Sequence, residues 1–118
     1  MFRSAAGTKA TGAPLKPTVF LILVSLGERQ RHGYGLVKAL ESRAPGTRIE
    51  PANLYRTLRA MKREGLIAES ARRPDPELDD SRRRYFRITE KGARLALAEA
   101  ERLSKLVRIA RKLRPLES

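Results

Sequence analysis

The last quarter of the chain carries the pattern that most restricts its fold. Beyond Thr89, apolar residues recur at alternating steps of three and four, a spacing typical of the seam of a long, coiled-coil-like helix. The members of this stripe are Ala93, Ala96, Ala100, Leu103, Leu106, Val107, Ala110 and Leu113. Because Thr89 is a good N-cap and Pro115 follows the last member, the pattern predicts one helix over residues 90–114.

This stripe is too long for the rest of the chain to cover. The chain has 118 residues, which is enough for one domain with a modest core. An apolar face that its own domain leaves exposed implies a partner, and a second copy related by two-fold symmetry is the simplest one. The alternative is that the helix folds back on its own domain. We expect a homodimer, with an interface formed by Ala96, Ala100, Leu103, Leu106, Val107, Ala110 and Leu113.

Three shorter helices are predicted earlier in the chain, because glycine and proline divide it into short segments. They are expected over residues 17–26, 33–42 and 51–64. The first is apolar nearly all round, which predicts a central place in the core. Gly27 suits a left-handed cap for the first helix, and Gly65 followed by Leu66 suits a Schellman-type end for the third. Residues 1–13 are small and polar, and we expect a disordered tail there.

A β-hairpin is predicted between the third and the last helix. Residues 66–70 and 85–88 have the composition of two short strands. Acidic residues mark the loop between them, namely Asp75, Glu77, Asp79 and Asp80. Arginines mark the arms of the hairpin, namely Arg72, Arg73, Arg82, Arg83 and Arg84. We expect these arginines to contact phosphate, while the acidic tip stays clear of DNA or neutralises its own arginines.

This order of elements defines the expected architecture. It is mainly α with a small β-hairpin, and it predicts a winged helix-turn-helix domain over residues 14–89. A C-terminal dimerisation helix over residues 90–114 completes the chain.

The third predicted helix has one apolar side and one basic side. The apolar side is formed by Leu54, Leu58 and Met61. At 100° per residue from Leu54, the residues Arg56, Arg59 and Arg63 fall at about 200°, 140° and 180°. In a winged helix this helix enters the major groove of DNA, where arginine suits guanine and asparagine, here Asn53, suits adenine. The alternative is an ordinary solvated face, but such faces usually mix charges of both signs.

The charge balance supports a polyanionic partner. Lys and Arg number 26 against 13 Asp and Glu, a formal net charge of +13. Double-stranded DNA is the expected partner; an anionic membrane is the other physical option, and an Arg-rich codon bias that aids solubility is the alternative. The longest apolar run, residues 19–24, is too short to cross a membrane. We therefore expect a cytoplasmic protein without a membrane partner.

The chain has no residues for a recognisable catalytic or metal site. It contains no cysteine and a single histidine, His32, so neither a thiol–imidazole pair nor a histidine metal site can be built. No cofactor is expected, and an enzyme is not predicted. His32 is expected to cap or pack at the start of the second helix.

Taken in order, four short motifs resemble the PadR family of bacterial and archaeal transcriptional regulators. They are His32-Gly33-Tyr34, Leu54-Tyr55, Glu64-Gly65-Leu66-Ile67, and Arg84-Tyr85-Phe86-Arg87-Ile88-Thr89-Glu90-Lys91-Gly92. The resemblance spans about residues 15–113 and points to the small subfamily. It implies a homodimeric winged-helix repressor that binds a promoter palindrome. It also implies that Tyr34 and Tyr55 belong to the helix-turn-helix, with rings that pack in the core and a hydroxyl in reach of phosphate, and that Arg84 and Tyr85 belong to the second strand of the wing.

Some residues depart from the family pattern. Gly35 replaces the usual acidic residue after His-Gly-Tyr, and Ala52, Asn53 and Arg56 replace the residues that usually surround Leu-Tyr. A preferred DNA site therefore cannot be transferred from the family. Many members bind aromatic or drug-like effectors, often against a tryptophan, and this chain has none. A small-molecule effector is left open.

Two other functions are compatible with the sequence. An architectural DNA-binding protein of the same fold would share the basic surface but would have no defined operator. A protein-interaction adaptor would use the wing and the last helix, but outward arginines contribute little to the core of a protein interface, where charged residues are depleted.

Overall fold

The computed structural model describes residues 14–46, 48–70 and 84–115. The elements follow one another as α1 (Pro17–Glu28), β1 (Arg31–His32), α2 (Gly33–Arg43), α3 (Pro51–Arg63), β2 (Ile67–Ser70), β3 (Tyr85–Ile88) and α4 (Glu90–Ala110). The predicted fold class is confirmed: the molecule is mainly helical, with a small antiparallel sheet beside a three-helix core. The predicted tail over residues 1–13 and the predicted hairpin tip lie outside the described residues.

Local capping interactions account for several helix ends. The His32 imidazole Nδ1 accepts a hydrogen bond from the Gly35 N–H at 3.1 Å, which confirms its predicted role at the start of α2. The Thr89 hydroxyl accepts from the Gly92 N–H at 3.1 Å and caps α4 as predicted. Helix capping of this kind satisfies backbone donors that a helix leaves unpaired.

The end of α3 is the predicted Schellman motif. Gly65 adopts a φ of +79°, in the left-handed region that favours glycine. The Leu66 N–H donates to the Met61 carbonyl at 2.9 Å, and the Gly65 N–H donates to the Lys62 carbonyl at 3.1 Å. This pair of bonds defines the motif and turns the chain directly into β2.

The predicted cap at Gly27 is wrong. Gly27 lies within α1, and the positive-φ glycines of the described chain are Gly46 and Gly65. The last turn of α1 continues to Glu28, whose carboxylate pairs with Arg31 at 3.0 Å and also with Arg43. These ion pairs join the end of α1 to α2, so the helix runs two residues further than residue 26.

The sheet has three strands in the order β1-β3-β2, all antiparallel. The predicted hairpin forms, with Ile67 opposite Ile88 and Ser70 opposite Tyr85. The additional strand β1 pairs Arg31 with Phe86 and was not predicted, because two residues are too few for a periodic pattern. The sheet thus ties the segment before α2 to the wing.

The core lies between α1 and the elements around it. Ile22 and Leu23 of α1 are fully buried, and they share one cluster with Leu36, Leu58 and Leu66. This central place of α1 was predicted from its apolar composition.

Gly92 allows the first turn of α4 to approach the base of the wing. A Cβ at this position would overlap the Leu66 carbonyl oxygen and would also meet the side chains of Leu23 and Ile88. The start of α4 is therefore closely packed on its own domain.

The first half of α4 packs on its own domain, and the second half extends beyond it. Leu95 and Glu99 are both 3% exposed, whereas Leu106 is 49% and Leu113 is 76% exposed. The helix ends at Ala110 rather than near residue 113. Beyond Ala110, the Lys112 and Leu113 N–H groups donate to the Ile109 and Ala110 carbonyls, i→i−3 bonds that tighten the last turn.

Glu99 joins the start of the described chain to α4. Its carboxylate accepts from the Leu15 N–H at 3.3 Å and from Arg102 Nε and Nη2 at 2.9 and 2.6 Å. Hydrogen bonding to Arg102 lowers the pKa of Glu99, against the opposing effect of burial, and the Leu15 N–H adds to the lowering. The buried carboxylate is thus held in its charged form.

Candidate nucleic-acid interface

Helix α3 presents its basic side to solvent, as the sequence predicts. Leu54, Leu58 and Met61 are at most 3% exposed and attach the helix to the core. On the opposite side the exposed residues include Asn53, Arg56, Arg59 and Arg63. The helix therefore projects a row of guanidinium groups away from the domain.

These arginines differ in how they are held. Arg56 Nη2 donates to the Asn53 side-chain oxygen, which orients the guanidinium along the helix. Within the described part of the chain, Arg59 and Arg63 have no acidic partner. Among the described residues, none of the three arginines has an ion pair to break before it meets an external acceptor, and Arg56 alone gives up a hydrogen bond to Asn53.

Of the two tyrosines singled out by the sequence, Tyr34 lies in the first turn of α2 and Tyr55 of α3 lies against the same turn. Tyr55 of α3 packs against Gly33, where a Cβ would overlap its ring and hydroxyl, and it remains 44% exposed. Tyr34 is 59% exposed; its ring lies parallel to His32, and the Lys38 ammonium lies 5.2 Å from its centroid. Both rings are therefore partly exposed rather than packed in the core, which corrects the core packing that the family resemblance implied, and the Tyr55 hydroxyl lies beside Gly33.

A groove of about 420 Å³ runs between α3 and the sheet. It is lined by Tyr55, Leu58, Arg59, Lys62, Glu69, Arg84 and Phe86. Three of these side chains are cationic and one is a carboxylate. The wing arginine Arg84 therefore lines the same groove as Arg59 and Lys62 of α3.

The carboxylate of this groove, Glu69, pairs with cations from two other elements. It accepts from Lys62 Nζ of α3 at 2.6 Å and from Arg84 Nη1, next to β3, at 2.7 Å. The hydrogen bond from Lys62 lowers the pKa of Glu69, partial burial opposes this, and Arg84 lowers it further. Glu69 is therefore ionised at neutral pH.

Sequence reasoning missed Glu69. The pairing register places it opposite Phe86, so Arg84 is its diagonal neighbour two residues away on the same face of the sheet. A register across so long a hairpin loop cannot be derived from turn length, so only the basic residues were recognised as candidates.

The remaining predicted residues divide into two groups. Arg72, Arg73, Arg82 and Arg83 lie outside the described residues. In the predicted dimerisation stripe of α4, Ala96 packs against the core and Leu103 is partly buried. The stripe members that are exposed in the single chain are Ala100, Leu106, Val107, Ala110 and Leu113.

The described ranges offer neither a metal site nor a membrane span. No cluster of three or more His, Asp or Glu side chains there could hold a metal ion. None of the helices described combines the length and the apolar character needed to cross a bilayer.

Comparison with known proteins gives a family match and several similar structures. Residues 22–98 match the model of the transcriptional regulator PadR-like family. A PadR family transcriptional regulator from Eggerthella lenta DSM 2243 is 30% identical, with a TM-score of 0.62 over 80% of this chain and 78% of that one. No curated protein matches the chain.

Two more distant structures share the fold. A PadR family transcription regulator from Clostridium difficile R20291 is 18% identical, with a TM-score of 0.68 over 82% of this chain and 97% of that one. A transcriptional regulator from Clostridium thermocellum is 21% identical, with a TM-score of 0.67 over 83% and 90% of the two chains.

Proposed function

Since the chain belongs to the PadR-like family of transcriptional regulators, which are DNA-binding proteins and not enzymes, we propose that it is a sequence-specific repressor. In this proposal a homodimer binds a pseudo-palindromic operator in double-stranded DNA, in the cytoplasm. A dimer bound to a promoter excludes polymerase from the same DNA, which is the simplest route to repression.

The observation that carries the proposal is the exposed basic side of α3. Arg59 and Arg63 lack acidic partners among the described residues, and Arg56 is oriented by Asn53. Arginine presents two parallel donors to the paired acceptors of guanine, and each such contact discriminates against other bases. Phosphate contacts from Tyr34, Tyr55 and the wing would fix the register of the helix in the groove.

The homodimer is supported by the exposed end of α4. Leu95 packs on its own domain, while Leu106 follows it eleven residues later, which keeps the two on the same side of α4; Leu113, 76% exposed, lies just beyond the end of the helix. Val107 and Ile109 add exposed apolar surface, at 47% and 62%. A second copy of the chain would cover this surface and would place two α3 helices about 34 Å apart, one turn of DNA.

An architectural DNA-binding protein of the same fold is the second candidate. The net charge of +13 favours it, because binding to phosphates alone needs no defined sequence. The two candidates differ in whether affinity depends on base sequence once electrostatic attraction is screened.

Selection from a random duplex library, followed by titration of the full chain across about 50–200 mM salt, separates the candidates. We expect enrichment of a two-fold symmetric site that binds at least about 10³-fold more tightly than random duplex at physiological salt. If no sequence is enriched and binding to every duplex is lost uniformly as salt rises, the result would contradict the proposal of a sequence-specific repressor and favour the architectural protein.

A further inference from the structure

We propose that Glu69 is a specificity-determining residue: by holding Lys62 and Arg84 in ion pairs, it weakens binding to non-cognate DNA more than binding to the operator. This inference rests on the proposed function, because it assumes that the groove between α3 and the wing faces DNA.

The position of Glu69 is the first step. Among the residues that line this groove, Glu69 is the one acid beside three cations. Its side chain is 33% exposed, compared with 49% for Lys62 and 69% for Arg84. The carboxylate is therefore accessible to solvent but sits deeper than the cations that it holds, between the helix and the wing.

The weakness of these ion pairs is the second step. Partly exposed pairs contribute at most about 1 kcal/mol each to stability, because water screens them and ordering two side chains opposes them. Fold stability therefore gives little reason for two cations to converge on one acid. A phosphate that approaches Lys62 or Arg84 must displace the carboxylate or lie beside it, and a like charge at that distance is repelled.

The difference between cognate and random DNA is the third step. Non-specific binding is almost wholly electrostatic and uses any cation that can adapt to a nearby phosphate. Lys62 and Arg84 cannot adapt freely while both are held by Glu69. On the operator, base contacts from α3 select one of the docking positions that the phosphate contacts allow, so affinity gains less from cations that can adapt to other positions. Releasing Lys62 and Arg84 from Glu69 therefore raises the affinity for random DNA more than the affinity for the operator.

Glu69→Gln tests the inference, because it removes the charge and keeps the shape. We expect its affinity for random duplex to rise about three- to tenfold at low salt, with a salt slope steeper by about 1 to 2, as for one or two added phosphate contacts. Affinity for the selected site should change by less than twofold, so that the ratio between the two falls. Glu101→Gln, the same charge change on an exposed position of α4, should leave the ratio as it is in the wild type.

A second comparison separates the release of cations from simple charge repulsion. In a Lys62→Gln/Arg84→Gln background, Glu69→Gln should no longer tighten binding to random duplex, and thermal melting should show that each variant is folded. An undiminished gain in that background would overturn the proposed mechanism, as would equal gains on both duplexes in the single variant. A wild-type chain without any preference between duplexes would instead overturn the proposed function, and this inference with it.

Discussion

At the scale of single residues, the arginines of α3 are not equivalent. Arg56 is restrained by its hydrogen bond to Asn53, whereas Arg59 lines the groove and has no acidic partner among the described residues. A restrained guanidinium loses less conformational entropy on binding, while an unrestrained one has no intramolecular bond to break. Both properties favour contact with a base edge: the first lowers the entropy cost of binding, and the second lowers its enthalpy cost.

Arg59→Ala should weaken binding to the selected site by about 1–3 kcal/mol and relax the base preference at one position of each half-site, if Arg59 reads a base. Titration of the selected site, of single-base variants and of random duplex measures this. Arg108→Ala, an exposed arginine of α4, is the matched control and should leave the base preference unchanged. An equal loss on every duplex would identify Arg59 as a phosphate contact instead.

At the scale of elements, predictions from local chemistry agree with the structure. The Thr89 cap, the His32 cap and the Gly65 end of α3 each depend on residues within a few positions, and each forms as predicted. Gly27 has a similar local signal and does not cap α1, because the helix runs two residues further, to Glu28, whose ion pairs with Arg31 and Arg43 join it to α2. A local signal thus predicts a helix end only where no tertiary contact opposes it.

In the candidate site, too, features set by local geometry could be predicted from the sequence, and features set by tertiary contacts could not. The outward direction of Arg56, Arg59 and Arg63 follows from helical geometry and could be predicted without a structure. The pairing of Lys62 and Arg84 through Glu69 depends on the strand register, and the burial of Glu99 depends on the packing of Leu15 against α4. Neither interaction has a signature in the spacing of the residues, because each joins elements that are distant in sequence.

Glu99 should make the attachment of α4 sensitive to acid. Its pKa is lowered in the folded state, so the stabilisation is complete above its ordinary value of 4.5 and is lost as the pH falls through the lowered value. Glu99→Gln should decrease the free energy of unfolding near neutral pH by about 1.5–3 kcal/mol, the contribution of hydrogen bonds to a charged group. The difference from wild type should shrink as the pH falls below 4.5.

Denaturant unfolding of both proteins at several pH values checks this prediction. Glu101→Gln provides the comparison, since Glu101 is an exposed carboxylate two residues away on the same helix. A difference that persists undiminished at pH values far below 4.5, or an equal effect of the two substitutions, would show that the ionised carboxylate of Glu99 does not carry the stabilisation.

At the scale of the whole molecule, the two surfaces proposed to bind DNA and a second copy lie on different elements. The basic surface belongs to α3 and the wing, whereas the exposed apolar surface belongs to the second half of α4. A dimer formed through α4 would leave both α3 helices free for DNA. Binding to a single half-site and assembly on a full operator can therefore be changed independently.

Leu106→Asp should convert the proposed dimer to a monomer without unfolding the domain. Leu106 is 49% exposed in the single chain, so a charge there remains hydrated in the monomer, whereas in a dimer interface it would be buried without a partner. Arg108→Asp places a carboxylate on α4 where the neighbours three and four residues away are Ser104, Lys105, Arg111 and Lys112, and it should retain the dimer. Sedimentation equilibrium measures the mass, and affinity for full and half operators measures the consequence. If Leu106→Asp sediments with the mass of the wild type, α4 does not provide the interface. If it is monomeric and binds a full operator no more tightly than a half-site, that result directly supports recognition of the operator by a two-fold dimer.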